Sequence, residues 1–275
     1  MANRPTAALL FLVAACAAPD DGPRVPQEVT YTASEFAFSG PDTIAPGMTT
    51  FRFVNEGQQE HHLILVRIHE GHTVQELFEF MAANPSGIPD YVTFVGAANS
   101  VQNGGITGST IDLAEGHYLM VCFIPDPADG MEHVAKGMSR ELIVTGPRNE
   151  APAPVASGEV RMSDYTYAFP VMTAGSHTFH MVNDGPQLHE AQLIRLNDGV
   201  SAEQFMAALA PGATEPPPGS MLGGSGALSP GADNWWTISL EPGNYIFLCF
   251  VPDVDGTGPH IMKGMVKGFS IAAAT

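Results

Sequence analysis

Short apolar segments separated by turn residues recur along this chain. Examples in its first half are residues 50–54, 62–68 and 118–124, each of which is followed by glycine, proline or other polar turn residues. Segments of this length between turns are typical of strands in an antiparallel β-sandwich. The pattern therefore predicts an all-β fold with about seven or eight strands in this half of the chain.

Two segments have a helical pattern instead. Residues 73–76 (TVQE) have the Thr-x-x-Glu form of a helix-capping box, and residues 201–204 (SAEQ) have the matching Ser-x-x-Gln form. Apolar residues follow both segments at helical spacing. Each half of the chain is therefore predicted to carry one short inserted helix.

One motif occurs twice and fixes the predicted architecture. The first copy begins CFIPD and the second begins CFVPD. In both copies a His lies eleven positions after the Cys, and a Met lies five positions after that His. The residues concerned are Cys122, His133 and Met138 in the first copy and Cys249, His260 and Met265 in the second. Two copies with identical spacing indicate an internal repeat and two related domains.

A second His in each half follows from aligning the two halves. An offset of 128 matches Phe51, Val54, Asn55, Gly57, His61 and Arg67 with Phe179, Val182, Asn183, Gly185, His189 and Arg195. His61 is the repeated histidine, because the position that matches His62 is Glu190. His62 is interpreted as a structural or solvated residue. Each half therefore supplies two His, one Cys and one Met, which is the ligand set of a blue copper site.

Each half also resembles a cupredoxin, a copper β-sandwich of the plastocyanin and azurin type. The resemblance rests on a Val-Asn-x-Gly turn before the first His (residues 54–57 and 182–185), on a turn before the Cys strand (115–118 and 242–245), and on the ligand order. It implies two tandem cupredoxin-like Greek-key β-sandwiches. It also implies that Asn55 and Asn183 brace the sites from behind.

The resemblance further implies one copper ion in each domain. Its ligands would be His61, Cys122, His133 and Met138 in the first domain and His189, Cys249, His260 and Met265 in the second. This chain departs from the family in one respect. The family usually places only a few residues between the Cys and the second His, whereas ten residues intervene here.

The N-terminal residues 1–27 are predicted to be a signal peptide and a tether. An apolar run from Ala7 to Ala15 ends in VAAC, which resembles a bacterial lipobox whose Cys16 is lipidated. An ordinary signal peptide cleaved near Ala18 is the alternative. Both interpretations predict export, and the first predicts anchoring to a bacterial membrane.

The predicted domains are residues 28–146 and 159–275, joined by a proline-containing linker at 147–158.

Composition limits the partners of the chain. It has 11 Lys and Arg against 29 Asp and Glu, and a formal net charge of −18. This balance argues against nucleic acid and against anionic membrane surfaces, so membrane contact is expected only through the N-terminal lipid. It favours a basic protein partner or simple solubility.

Cys122 and Cys249 are expected to be unpaired thiols, because equivalent positions of separate sandwiches would lie far apart.

Both tryptophans, Trp235 and Trp236, lie in one predicted strand of the second domain. Adjacent residues of a strand point to opposite faces, so one ring is expected in the core and the other on the surface. An interaction patch that uses both rings is the alternative.

These observations favour a copper-binding electron carrier with an unidentified redox protein as partner. Two-domain cupredoxin enzymes build further copper sites from His-x-His or His-Cys-His segments, and this sequence contains neither. It is therefore predicted not to be an enzyme. Two alternatives remain open. One is a metal-free cupredoxin-like module that binds a partner through its Asp-containing loops, and the other is a copper oxidase or reductase with a further site between domains or subunits.

Overall fold

A computed structural model describes residues 24–84, 87–210 and 216–273. The predicted signal peptide and its Cys16 lie outside the described residues. The first half contains β1 (Gln27–Ser34), β2 (Ala37–Ser39), β3 (Thr43–Ile44), β4 (Gly47–Asn55), β5 (Ile64–Ile68), α1 (Val74–Ala83), β6 (Val92–Phe94), β7 (Ile106–Leu113), β8 (Gly116–Val121) and β9 (Ser139–Val144). The second half contains β10 (Gly158–Ser163), β11 (Thr166–Ala168), β12 (Gly175–Asn183), β13 (His189–Leu196), α2 (Ala202–Ala208), β14 (Gly219–Leu228), β15 (Asp233–Leu240), β16 (Gly243–Leu248) and β17 (Val266–Ile271).

Each half folds as a two-layer β-sandwich. In the first, β2, β1, β4 and β7 form one layer, and β3, β9, β8, β5 and β6 form the other. In the second, β11, β10, β12 and β15 face β14, β13, β16 and β17. Most neighbours are antiparallel, but β1 runs parallel to β4, and β10 runs parallel to β12 in the same way. This repeated topology confirms the predicted all-β fold of two sandwiches.

Alternating burial explains why these segments form the layers of a sandwich. In β4 the side chains of Phe51 and Phe53 are buried, while the residues beside them are only partly covered. Phe179 and Met181 repeat this arrangement in β12. A period of two turns one face of a strand toward the core, and it thereby fixes the register of the strand.

The two inserted helices are confirmed. The hydroxyl of Thr73 accepts the Glu76 N–H at 3.2 Å, and the Glu76 carboxylate accepts the Thr73 N–H at 2.7 Å. Ser201 and Gln204 form the same reciprocal pair at the start of α2. Each helix buries one apolar residue, Leu77 in α1 or Phe205 in α2, in an apolar cluster that includes strand residues. Among the described residues, no helix has the length and apolar character needed to cross a membrane.

The two sandwiches are joined edge to edge, whereas the sequence predicts separate ones. Strand β15 pairs with β7 through Trp235 opposite Thr110 and Trp236 opposite Ser109, so one sheet of eight strands spans both halves. Trp236 is fully buried and donates its indole N–H to the hydroxyl of Thr107 at 3.3 Å. Trp235 is partly exposed. The burial prediction for the pair is right, and the same two residues also make a contact between the domains.

A second set of contacts joins the other layers. Backbone hydrogen bonds connect residues 94–99 with β14 and the residue after it, including Ser229 N to Phe94 O at 2.9 Å and Gly226 N to Ala97 O at 3.0 Å. One buried apolar cluster contains Leu119 of the first half together with Leu228 of the second. The two domains therefore share part of their core.

Candidate metal centre

The described residues contain two groups of His and Cys that could hold a metal ion, and both groups are fully buried. In the first domain the Nδ1 atoms of His61 and His133 lie 3.1 Å apart. The Sγ atom of Cys122 lies 3.5 Å from Nδ1 of His133 and 3.9 Å from Nδ1 of His61. All three donor atoms lie within 4.8 Å of one another.

The second domain repeats this geometry. The Nδ1 atoms of His189 and His260 lie 3.1 Å apart, and Sγ of Cys249 lies 3.4 Å from Nδ1 of His260. His189 is the first residue of β13, and Cys249 directly follows β16. His260 begins a 3₁₀ turn, as His133 does in the first domain. The structure thus brings together the residues that the sequence repeat selects.

Backbone hydrogen bonds explain how the long loop still places its His beside the Cys. The His133 N–H donates to the carbonyl of Ile124 at 2.9 Å, and the Val134 N–H donates to the carbonyl of Cys122 at 2.8 Å. His260 and Ile261 make the equivalent bonds in the second domain. These bonds hold the two ends of the ten-residue loop together. The longer loop therefore does not separate the Cys from the second His.

Met138 and Met265 lie next to these groups and are fully buried. The Met138 N–H donates to the carbonyl of His133 at 2.9 Å, and the carbonyl of Met138 accepts the Cys122 N–H at 3.3 Å. The Met265 N–H donates to the carbonyl of His260 at 3.0 Å. The backbone of each Met is thus fixed against its own His.

The Val-Asn-x-Gly turn positions the first His of each site. The side-chain amide of Asn55 donates to the carbonyls of Gln59 and Val101 at 2.8 and 2.9 Å, and its Oδ1 accepts the Gly57 N–H at 2.9 Å. Asn183 makes the equivalent three bonds. These bonds close the turn that precedes His61 or His189.

Burial sets the protonation of the donors. It raises the pKa of the Cys122 thiol to about 12 and raises that of Cys249 well above its usual value. Burial, and next the neighbouring His133, lower the pKa of His61 to about 4. Burial likewise lowers the pKa of His133, His189 and His260, so the imidazoles are neutral at neutral pH. The thiols are protonated, and a bound metal would have to displace those protons.

The donor set fits copper. Two imidazole nitrogens and a thiolate around one point, with a weak axial thioether, are the ligands of blue copper centres. In each site the two facing Nδ1 atoms can share at most one proton, so at least one lone pair points into the group. Each of the two buried His/Cys/His groups can hold a copper ion.

The position after the first His has a role that the sequence analysis did not recognise. His62 is buried, and its Nε2 accepts the N–H of Phe123, the residue after Cys122, at 2.7 Å. In the second domain Glu190 accepts the N–H of Phe250 at 2.8 Å. The alignment matches His62 with Glu190, and both side chains can accept a hydrogen bond. This shared property is the feature of the sequence that could have indicated the role. The interpretation of His62 as structural agrees with this contact, and a solvated His62 does not.

We expect His62→Ala to lower the free energy of unfolding by about 1–3 kcal/mol, because it leaves a buried N–H without an acceptor. Denaturant unfolding of the metal-free protein measures this change. His69→Ala is the matched control, since the side chain of the exposed His69 hydrogen-bonds to the Thr93 hydroxyl and a surface change of this kind costs about 0.5 kcal/mol or less. Equal midpoints for the two variants would contradict the assigned role.

A chain of polar residues connects the two sites across the domain boundary, and all of its members except the partly buried Glu60 are buried. Glu60 precedes His61 and accepts the hydroxyl of Ser100. The next residue back, Asn99, donates to the Glu190 carboxylate at 3.1 Å, and Glu190 directly follows His189. Burial raises the pKa of Glu190 to about 7. These contacts fix the position of one centre relative to the other.

Comparison with solved structures finds similar folds at low sequence identity. Auracyanin A, a blue copper protein from Chloroflexus aurantiacus, is 21% identical over 44% of this chain and 100% of its own, with a TM-score of 0.31. A blue copper oxidase from Nitrosomonas europaea is 13% identical over 90% of this chain and 86% of its own, with a TM-score of 0.27. A copper-containing nitrite reductase from Thermus scotoductus is 12% identical over 90% of this chain and 61% of its own, with a TM-score of 0.24.

Each half of the chain has the two-layer β-sandwich fold that the resemblance to cupredoxins implies, and each carries one buried His/Cys/His group. No protein-family model matches the sequence, and comparison with curated proteins finds no match. The prediction that the protein is not an enzyme is wrong. It rested on the missing His-x-His and His-Cys-His segments, yet the solved structures of similar fold include a blue copper oxidase and a copper-containing nitrite reductase.

Proposed function

We propose that the protein transfers electrons through two copper ions, one in each domain. The observation that carries this proposal is the pair of equivalent, fully buried His/Cys/His groups, each next to a buried Met. Copper held by these ligands supplies a one-electron redox couple at a centre whose geometry suits both oxidation states. His61, Cys122, His133 and Met138 would hold the first ion, and His189, Cys249, His260 and Met265 would hold the second.

In this function the protein would hold the ligand side chains in fixed positions and exclude water from them. The first His of each site is fixed by the Asn-braced turn, and the second His is fixed by the closed base of the ten-residue loop. Aromatic rings cover the second His edge to face, Phe36 over His133 at 5.2 Å and Tyr165 over His260 at 5.3 Å. Ligands held in this way move little when an electron arrives or leaves.

The proposed partner is a redox protein with a basic surface. The chain carries a net charge of −18, and complementary charge increases the rate at which two proteins meet. We further propose that the protein is exported and held at a bacterial membrane by lipid on Cys16. Mass spectrometry of the mature N-terminus tests the lipid directly.

Loading the purified protein with Cu(II) tests the proposed function. We expect about two copper ions per chain and an intense thiolate-to-copper absorption band in the visible region. Ascorbate should bleach the band with one electron per copper, and a mild oxidant should restore it. The double variant Cys122→Ser/Cys249→Ser should show neither the band nor tight copper binding.

Two results would contradict the proposal. One is a protein that takes up no copper at either site. The other is a protein whose copper remains bound in the double Cys variant, since the ions would then lie elsewhere. Zn(II) loading provides the control for the spectrum, because zinc has no redox chemistry and gives no visible band.

A further inference from the structure

The outer nitrogens of the ligand imidazoles have different partners in the two domains. In the second domain, Nε2 of His189 contacts Oδ1 of Asp164 at 2.7 Å. In the first, Nε2 of His61 is buried and has no hydrogen-bond partner among residues 24–84, 87–210 and 216–273. The inner geometry of the two sites is nearly the same, so the difference lies in this outer contact.

The sequence around the two turns explains the difference. Asp164 directly follows β10, and its counterpart Glu35 directly follows β1. The Glu35 carboxylate accepts the backbone N–H groups of Gln58 and Gln59 and makes no hydrogen bond to the His61 imidazole among the described residues. In the second domain the residue that matches Gln58 is Pro186, which has no N–H to offer. The shorter Asp164 therefore lacks this competing donor and bonds to the His.

The second His of each site shows the reverse arrangement. Nε2 of His133 contacts the neutral amide oxygen of Gln59 at 2.9 Å. The matching Gln187 instead directs its amide nitrogen to Asp164 at 3.1 Å and accepts the Val254 N–H at 3.1 Å. Nε2 of His260 then has no hydrogen-bond partner among the described residues, and the nearest Asp253 oxygen lies 3.7 Å away. One site thus has a carboxylate on a ligand His, and the other has an amide.

A carboxylate that accepts the outer N–H of a ligand imidazole fixes its tautomer and makes the inner nitrogen a stronger donor. The negative charge also favours the more highly charged oxidation state of the bound metal. A neutral amide oxygen has a weaker effect of the same kind.

We propose that Asp164 is a positioning residue that makes the second-domain centre bind Cu(II) more tightly, and hold it at a lower reduction potential, than the first-domain centre. This inference rests on the proposed function. It predicts that a redox titration of the loaded protein resolves two one-electron waves and not one wave of two electrons.

The test isolates each site by removing the Cys of the other. In a Cys122→Ser background, Asp164→Asn should weaken Cu(II) binding by about 10–100-fold in a chelator competition titration. If the loss is confined to the Cu(II) form, each tenfold loss raises the reduction potential by about 59 mV. Asp198→Asn is the matched control, because it removes one exposed carboxylate of the same domain and should change neither value.

A reciprocal change installs the contact in the first domain. In a Cys249→Ser background, Glu35→Asp/Gln58→Pro should strengthen Cu(II) binding and lower the potential toward that of the second domain. Glu35→Gln in the same background should change Cu(II) affinity and reduction potential less than Asp164→Asn does in the Cys122→Ser background. Circular dichroism of each variant checks that the sandwich is intact.

The outcomes separate the two proposals. Absence of copper binding in the parent protein overturns the proposed function itself. Two redox-active coppers with equal potentials, or an Asp164→Asn effect no larger than that of Asp198→Asn, overturn the inference and leave the proposed function standing. A Glu35→Gln effect as large as that of Asp164→Asn would also overturn the inference, since Glu35 would then act on His61 as Asp164 acts on His189.

Discussion

Gly185→Ala should abolish tight copper binding in the second domain and leave the first domain loaded. A Cβ at this position would lie 2.6 Å from Nε2 of His189, 2.8 Å from its Cδ2 and 3.1 Å from Oδ1 of Asp164. The imidazole would have to move, and its Nδ1 would leave the donor group that includes Cys249. The backbone of Gly185 is not in the left-handed region, so the expected effect comes from this contact alone.

Metal content and the absorption band measure the result. We expect about one copper per chain and about half of the band intensity. Loss of an outer-shell contact alone typically weakens a metal site by about 10–100-fold, and this substitution displaces the candidate ligand itself. Gly268→Ala is the matched control in the same domain, since its Cβ would meet its nearest neighbour at 3.5 Å, an ordinary contact distance. Two coppers per chain and an unchanged spectrum in Gly185→Ala would contradict the prediction.

The candidate ligand residues could be selected from the sequence because their pattern is short in span and occurs twice. Cys, His and Met occur at one spacing in both copies, and a single offset then separates His61 from His62. Strand patterning and two capping boxes likewise predicted the sandwiches and their helices. Each of these features depends on residues close in the chain, so it can be read without knowing which strands pair.

The outer contacts of the sites could not be predicted in this way. Glu35 and Asp164 both follow the first strand of a domain, and nothing in the pattern shows that Glu35 bonds to a turn and Asp164 bonds to His189. The difference depends on the side chain of Glu35, which is one methylene longer than that of Asp164. It also depends on Pro186, which lies more than twenty residues after Asp164. Such differences become visible only when the turn and the strand lie side by side.

The joining of the domains was also beyond the sequence analysis. A repeat predicts two similar sandwiches, but it does not show which edges remain open to pair with each other. Strand β15 pairs with β7 over only two residues on each side, Trp235 and Trp236 against Thr110 and Ser109. The contact depends on the burial of one indole ring, so Trp236 is the residue at which to test it.

Trp236→Ala should lower the free energy of unfolding of the whole chain by about 3–5 kcal/mol, the usual cost of removing a large buried aromatic ring. Trp236 is fully buried in the cluster that contains Leu119 and Leu228, and its indole N–H also bonds to Thr107. Urea unfolding measures the change. Trp236→Phe keeps most of the apolar contact and should cost less, so it gives a folded comparison if the alanine variant does not fold.

Trp235→Ala is the matched control from the same strand. Its ring is partly exposed and stacks on His180 with centroids 4.7 Å apart, so its loss should cost about 0.5–1.5 kcal/mol. The two domains share a sheet and part of a core. Unfolding followed by tryptophan fluorescence, which reports the second domain and its contact with the first, should therefore coincide with unfolding followed by circular dichroism, which reports both domains. Separate transitions in the parent protein, or equal losses in Trp235→Ala and Trp236→Ala, would show that the domains are stabilised independently of this contact.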